Sequence, residues 1–189
     1  MAISAATNAE TNAVGNPGVN SVSNLTLVIM GVAGCGKSTV GEALARRLRA
    51  KLIEGDDYHP EVNRKKMALG LPLTDADRKP WLQSLALQLG QSTGNVVMTC
   101  SALKIAYRQI FRAAVPNCKF VFLALDQSTA HKRVQARESH FFSPALVESQ
   151  FSALEAPTDE AGVLHVEATQ TIDQITHSVM DWINCEKVL

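Results

Sequence analysis

Between an apolar run, Leu25–Met30, and an amphipathic segment, Lys37–Arg49, the chain reads Gly31-Val32-Ala33-Gly34-Cys35-Gly36-Lys37-Ser38, with Thr39 next. This is G-x-x-x-x-G-K-[ST] in full, leaving a strand-like run and opening a helix-like one. The residue types explain themselves chemically. Gly31, Gly34 and Gly36 allow positive φ, so the backbone through Val32, Ala33 and Cys35 can turn its N–H groups around a phosphate. The helix start adds the positive end of its dipole. In such a loop Lys37 reaches the β- and γ-phosphates of ATP, and the Ser38 hydroxyl ligates Mg²⁺. The pattern therefore asks for a parallel, doubly wound architecture around a nucleotide.

The rest of the chain fits that demand. Strand-like runs at Lys51–Glu54, Asn95–Cys100, Lys119–Leu125 and Val163–Glu167 alternate with helical segments at Pro60–Leu69, Asp75–Leu89 and Lys104–Ala114. Further helices are expected over 129–137, Pro144–Leu154 and Ile172–Asn184. Alternation of this kind predicts a three-layer α/β fold, a five-stranded parallel sheet covered on both faces. Residues 25–189 read as one domain, and 1–24, whose only charged side chain is Glu10, as a disordered tail.

Eighteen basic and 18 acidic side chains give no net charge, which argues against a nucleic-acid binder. No apolar run approaches the roughly 20 residues that span a bilayer. The tail has neither the basic start of a secretory signal nor the arginines of a transit peptide. Four scattered cysteines without a C-x-x-C pair point to reduced thiols in a cytoplasmic protein.

Not every phosphate loop belongs to a phosphotransferase. A guanine-reading N-K-x-D is absent, and Asp159-Glu160-Ala161-Gly162 lies too near the C-terminus to serve as a switch. Asp126 ends a strand but precedes a helix, so it reads as an N-cap rather than a water-activating acid. More telling is Glu54-Gly55-Asp56-Asp57 after the second strand, where the carboxyl ends of a doubly wound sheet face the ligand. Phosphoryl transfer to an alcohol needs an acid there, either for magnesium-bound water or for the hydroxyl proton. Arg133 and Arg137, one helical turn apart, precede a polar stretch of lid length at Glu138–Ser143. Such arginines can neutralise a phosphoryl group in transit.

These stretches together resemble the thermoresistant-type gluconokinases, relatives of shikimate kinase and the nucleoside monophosphate kinases. The resemblance runs from about Leu25 onward, through GVAGCGKST, EGDDYHP, NRKKMALGLPLTDADRKPWL, CSALK with Tyr107-Arg108, ARESHFF, and the Gln150-Phe151…Leu154-Glu155 run. It implies a P-loop kinase fold with a small lid, ATP and Mg²⁺ as cofactors, and transfer to the 6-hydroxyl of D-gluconate in a homodimeric enzyme. By position it implies that Asp56 orients or deprotonates the acceptor hydroxyl, and that Glu54 faces the magnesium shell beside Ser38. His59, Asn63, Lys66, Asp75, Arg78, Ser101, Lys104 and Arg108 become candidates for the polyol and carboxylate. Arg133 and Thr169 fall on the adenine side. Arg137 and His140 fall on the lid over the phosphates, Arg137 as a catalytic residue and His140 also toward the substrate. Trp81, Leu82 and Met67 read as core. Another aldonate as acceptor, or a nucleotide-binding protein with no acceptor, remains the alternative.

Overall fold

The computed structural model describes residues 24–136 and 144–185. Five strands, β1 (Thr26–Met30), β2 (Lys51–Glu54), β3 (Val96–Thr99), β4 (Lys119–Ala124) and β5 (Val163–Glu167), form one sheet in the order β2-β3-β1-β4-β5. Every pairing is parallel. The helices are α1 (Lys37–Leu48), α2 (Glu61–Ala68), α3 (Asp75–Gln91), α4 (Ile105–Ala114), α5 (Gln127–Gln135), α6 (Pro144–Ala153) and α7 (Ile172–Cys185). A short 3-10 helix, Gly55–Tyr58, follows β2.

The alternation of β1 builds the layers. Leu27 and Ile29 point to one face, where Val40 and Leu44 of α1 and Ile175 and Val179 of α7 cover them. Val28 and Met30 point to the other, against Trp81 and Leu85 of α3 and Phe111 of α4. With both faces covered, β1 is buried at all five positions, as a central parallel strand must be.

Two of the three positive-φ glycines in the loop after β1 show different reasons for the residue. At Gly31, φ is 140°, and a Cβ would lie 2.8 Å from the Leu123 carbonyl oxygen and 2.9 Å from Cys35 Sγ. At Gly36, the N-cap of α1, φ is 97° but a Cβ would meet nothing within 4 Å. Conformation alone dictates Gly36, and its open side faces the cavity described below.

Element ends depart from the sequence reading by a residue or two. One two-residue shift is at α5, which starts at Gln127 rather than Thr129, because Asp126 caps it by accepting the Thr129 N–H at 2.9 Å. At α3, Thr74 and Asp77 form a reciprocal cap. Asp77 N–H donates to Thr74 Oγ1 at 3.2 Å, and Thr74 N–H to Asp77 Oδ2 at 2.9 Å. Pro80 lies inside α3, near its start.

Candidate active site

At the carboxyl ends of β1, β2 and β3 the chain encloses a cavity of about 380 Å³. One wall is the phosphate loop and first turn of α1: Ala33, Gly34, Gly36, Lys37, Ser38 and Thr39. The opposite wall carries Asp56 and His59 after β2, Arg64 and Met67 on α2, Pro72 and Leu73, Arg78 and Trp81 on α3, and Ser101 after β3. Val134 of α5 and Leu146, Ser149 and Gln150 of α6 close the side.

The loops are tied to one another. Gly31 N–H donates to the Ser101 carbonyl at 3.3 Å, joining the phosphate loop to the turn after β3. Ala102, next in that turn, is held at φ 43°, and its carbonyl accepts from Arg108 Nη1 at 3.0 Å. The Lys37 ammonium reaches back over its own loop, donating to the carbonyls of Gly31 and Val32, both at 3.1 Å. Arg133 bridges Gly34 O at 3.3 Å and Ala168 O at 3.0 Å, so α5 joins the phosphate loop to the loop after β5, where Thr169 is exposed.

Asp56 stands exposed on the 3-10 helix. That helix is pinned from below by Trp81, whose indole N–H donates to Gly55 O at 2.8 Å. Trp81 also stacks on His59, with ring centroids 4.0 Å apart and planes 16° from parallel. Trp81 is therefore both core, as its 2% exposure shows, and cavity wall. His59 is buried, its Nε2 4.0 Å from an Asp56 oxygen, and its Nδ1 lacks a partner among the described residues. Burial pushes its pKa down to about 4; Asp56 opposes this, while Arg78 and Arg64 reinforce it. The imidazole beside Asp56 is thus neutral at pH 7. Glu54, half-buried at the end of β2, accepts a hydrogen bond from Thr99 Oγ1. Arg78 is buried and donates to the Leu73 carbonyl at 2.6 Å.

Several sequence candidates have protein partners and stand off the cavity wall. Asn63 is buried and donates to Asp77 O at 2.9 Å; Lys66 pairs with Asp77 at 2.6 Å. These two, with the Thr74–Asp77 cap, hold α2 against the start of α3. The Lys66 ammonium and the Thr74 donors bring the Asp77 pKa to about 2. Asp75 accepts from Lys104 Nζ at 2.8 and 2.9 Å and makes a hydrogen bond to the Tyr107 hydroxyl, tying α3 to α4. The Lys104 and Tyr107 hydrogen bonds lower its pKa.

Arg108 departs furthest from expectation. It is wholly buried, donating to both Glu160 oxygens and to the carbonyls of Ala102, Leu103 and Glu155. A guanidinium saturated in this way has no donor to offer a substrate carboxylate. Its partner Glu160 belongs to the Asp159–Gly162 stretch that as a motif meant nothing. Met67, expected in the core, is half-buried on the cavity wall. Cys100 is packing, as expected, and burial pushes its thiol up to about 12. Arg137 and His140, and the lid expected over 138–143, lie outside the described residues. Sequence reasoning gave no role to Arg64, Ser149 and Gln150. Gln150 carried a signal only as part of the Gln150-Phe151…Leu154-Glu155 run behind the resemblance, with no role attached.

Among the described residues no helix is long and apolar enough to cross a membrane. The family described as AAA domain matches residues 27–159. The chain is 42% identical over 160 residues to the thermoresistant gluconokinase of Escherichia coli K12, across 82% of this chain and 91% of that protein. A crystal structure of a gluconokinase from Sinorhizobium meliloti 1021 superposes with a TM-score of 0.75 at 41% identity, covering 81% of this chain and 87% of that one. Shikimate kinase from Bacteroides thetaiotaomicron shares the fold alone, with a TM-score of 0.61 at 16% identity, covering 85% and 98%. A phosphate loop at the centre of a β2-β3-β1-β4-β5 sheet, and this degree of identity along most of the chain, place it in one group: the chain belongs to the gluconokinase family of P-loop kinases.

Proposed function

We propose that this enzyme transfers the γ-phosphoryl group of ATP to the 6-hydroxyl of D-gluconate, giving 6-phospho-D-gluconate and ADP. The observation that carries the reading is a single cavity with the phosphate loop on one wall and Asp56, His59, Arg78 and Ser101 on the other. A nucleotide and a polyol anion have room to meet there, and the site offers both cationic and hydroxyl-binding groups.

The acceptor oxygen attacks the γ-phosphorus, the bond to the bridging oxygen breaks, and its electron pair leaves with ADP. Asp56, exposed on the cavity wall, orients the acceptor hydroxyl and takes its proton. His59, neutral at pH 7, adds no positive charge beside that carboxylate. Arg78 and Arg64, on the wall opposite the phosphate loop, are the cations for the substrate carboxylate. Lys37 leaves its loop carbonyls to offset negative charge on the phosphates.

The residues present fit magnesium. Ser38 Oγ on the cavity wall and the Glu54 carboxylate held by Thr99 are hard oxygen donors, and Mg²⁺ needs few of them when phosphates and water supply the rest. When bound, the ion neutralises charge on the phosphoryl oxygens. A homodimer rests on the resemblance and is checked by sedimentation; a cytoplasmic location rests on the scattered cysteines.

The test is a coupled assay with ATP and Mg²⁺ across D-gluconate, other aldonates, shikimate and AMP, following ADP and 6-phosphogluconate separately. Turnover is expected with gluconate. ADP release that no aldonate stimulates would overturn the proposal.

A further inference from the structure

Gln150 of α6 touches the phosphate loop in a way that fixes its own chemistry. Its Oε1 accepts the Ala33 N–H at 2.7 Å, a contact between residues 117 positions apart. A backbone N–H only donates, so the atom that meets it is the carbonyl half of the carboxamide. The amide flip is thereby set, and Nε2 with its two N–H donors is the half left over. Among the described residues nothing accepts from Nε2, and Gln150 lines the same cavity as Lys37 and Asp56.

The helix that carries Gln150 is held firmly. Val147 is fully buried, and just past α6 Glu155 N–H donates to Leu103 O at 2.9 Å. Glu155 Oε2 accepts the Ile105 N–H at 2.7 Å, and Arg108 Nη2 donates to Glu155 O at 3.2 Å. The end of α6 is thus bound to the turn that bears Ser101. A donor built this way is preorganised, as stabilisation of developing charge requires.

We infer that Gln150 is a catalytic residue: with Oε1 tethered to Ala33, it gives an Nε2 hydrogen bond to a peripheral oxygen of the phosphoryl group in transit. The inference rests on the phosphotransfer reading above. The phosphoryl group is the partner, rather than a sugar hydroxyl, because the carboxamide is anchored to the phosphate loop itself. Its donors keep their place whichever acceptor occupies the other wall. Gln150 neither gains nor loses a proton in the step.

Two variants of the full chain separate this role from a merely structural one. Gln150→Glu keeps an oxygen for Ala33 but replaces the donor by negative charge; Gln150→Ala removes both. Both are expected to lower kcat on the order of 10²-fold, Gln150→Glu at least as much as Gln150→Ala. By calorimetry, Gln150→Glu is expected to weaken binding of the non-hydrolysable ATP analogue AMP-PNP by about tenfold or more, leaving ADP nearly unchanged. Thermal midpoints near that of the parent show that each variant folds. A Gln150→Glu enzyme with parental kcat and AMP-PNP affinity would mean the residue only clips the loop, and the inference falls. If the parent binds AMP-PNP but phosphorylates no aldonate, the phosphotransfer reading fails first and takes this inference with it.

Discussion

Asp56 and His59 share one turn of chain and divide the work of charge between them. Asp56→Asn is expected to lower kcat about 10²–10⁴-fold with ATP affinity nearly intact, because the proton acceptor is lost and the phosphate loop is not. A variant that only raises the gluconate KM would make Asp56 a binding residue instead. Lys37→Ala is expected to abolish turnover; an unchanged kcat would remove the phosphate loop from the mechanism. His59 carries a stability signature. Its pKa falls from 6.5 to about 4 on folding, chiefly through burial. Between those values the unfolded chain takes up a proton that the folded chain refuses, so stability declines as pH drops from 6.5 toward 4. Urea unfolding at a series of pH values is expected to show this slope, and His59→Gln to flatten it. The cavity side chains were unevenly legible in sequence. Spacing within G-x-x-x-x-G-K-[ST] is local, so the loop could be read directly. Asn63, Lys66, Asp75, Lys104 and Arg108 have the chemistry of sugar-acid ligands, yet each binds a protein partner many positions away. No local pattern announces such pairings.

Between elements, polar contacts do what the sheet cannot. The family-like block from Asn63 to Leu82 is in large part a clamp, joining α2 to α3 through Asp77 and α3 to α4 through Asp75. Arg108 and Arg112 of α4 both reach Glu160, fastening the segment ahead of β5. Burial alone would raise the Glu160 pKa, but hydrogen bonds from the two arginines outweigh it and the pKa falls. Glu160 therefore adds stability above its unfolded pKa, and that stability is lost as pH falls through the lower folded value. Arg108→Met leaves the carboxylate half-compensated and is expected to cost about 3–5 kcal/mol in urea unfolding. Folded Arg108→Met should keep its gluconate KM; a large rise without loss of stability would return Arg108 to the substrate. The elements themselves were legible because the apolar period changes between strands and helices. Gly55–Tyr58 was not, since four residues of a 3-10 turn carry no period.

For the whole molecule, we propose that residues 25–189 fold and work without residues 1–22. Their removal is expected to leave thermal midpoint and kinetics unchanged, and a large loss of either would give the N-terminal segment a structural role. The strand order places β1, the first of the described strands, at the centre of the sheet. Its two neighbours come late: Thr26 pairs with Val96, and Leu27 with Lys119. During synthesis the apolar run Thr-Leu-Val-Ile-Met thus leaves the ribosome long before either flanking strand exists. A chain stalled ahead of Lys119 can complete only one edge of that strand, so it presents a hydrophobic, hydrogen-bond-hungry ribbon to whatever lies nearby. The same placement that sets the phosphate loop at the heart of the finished enzyme leaves the unfinished one with its central strand half-paired.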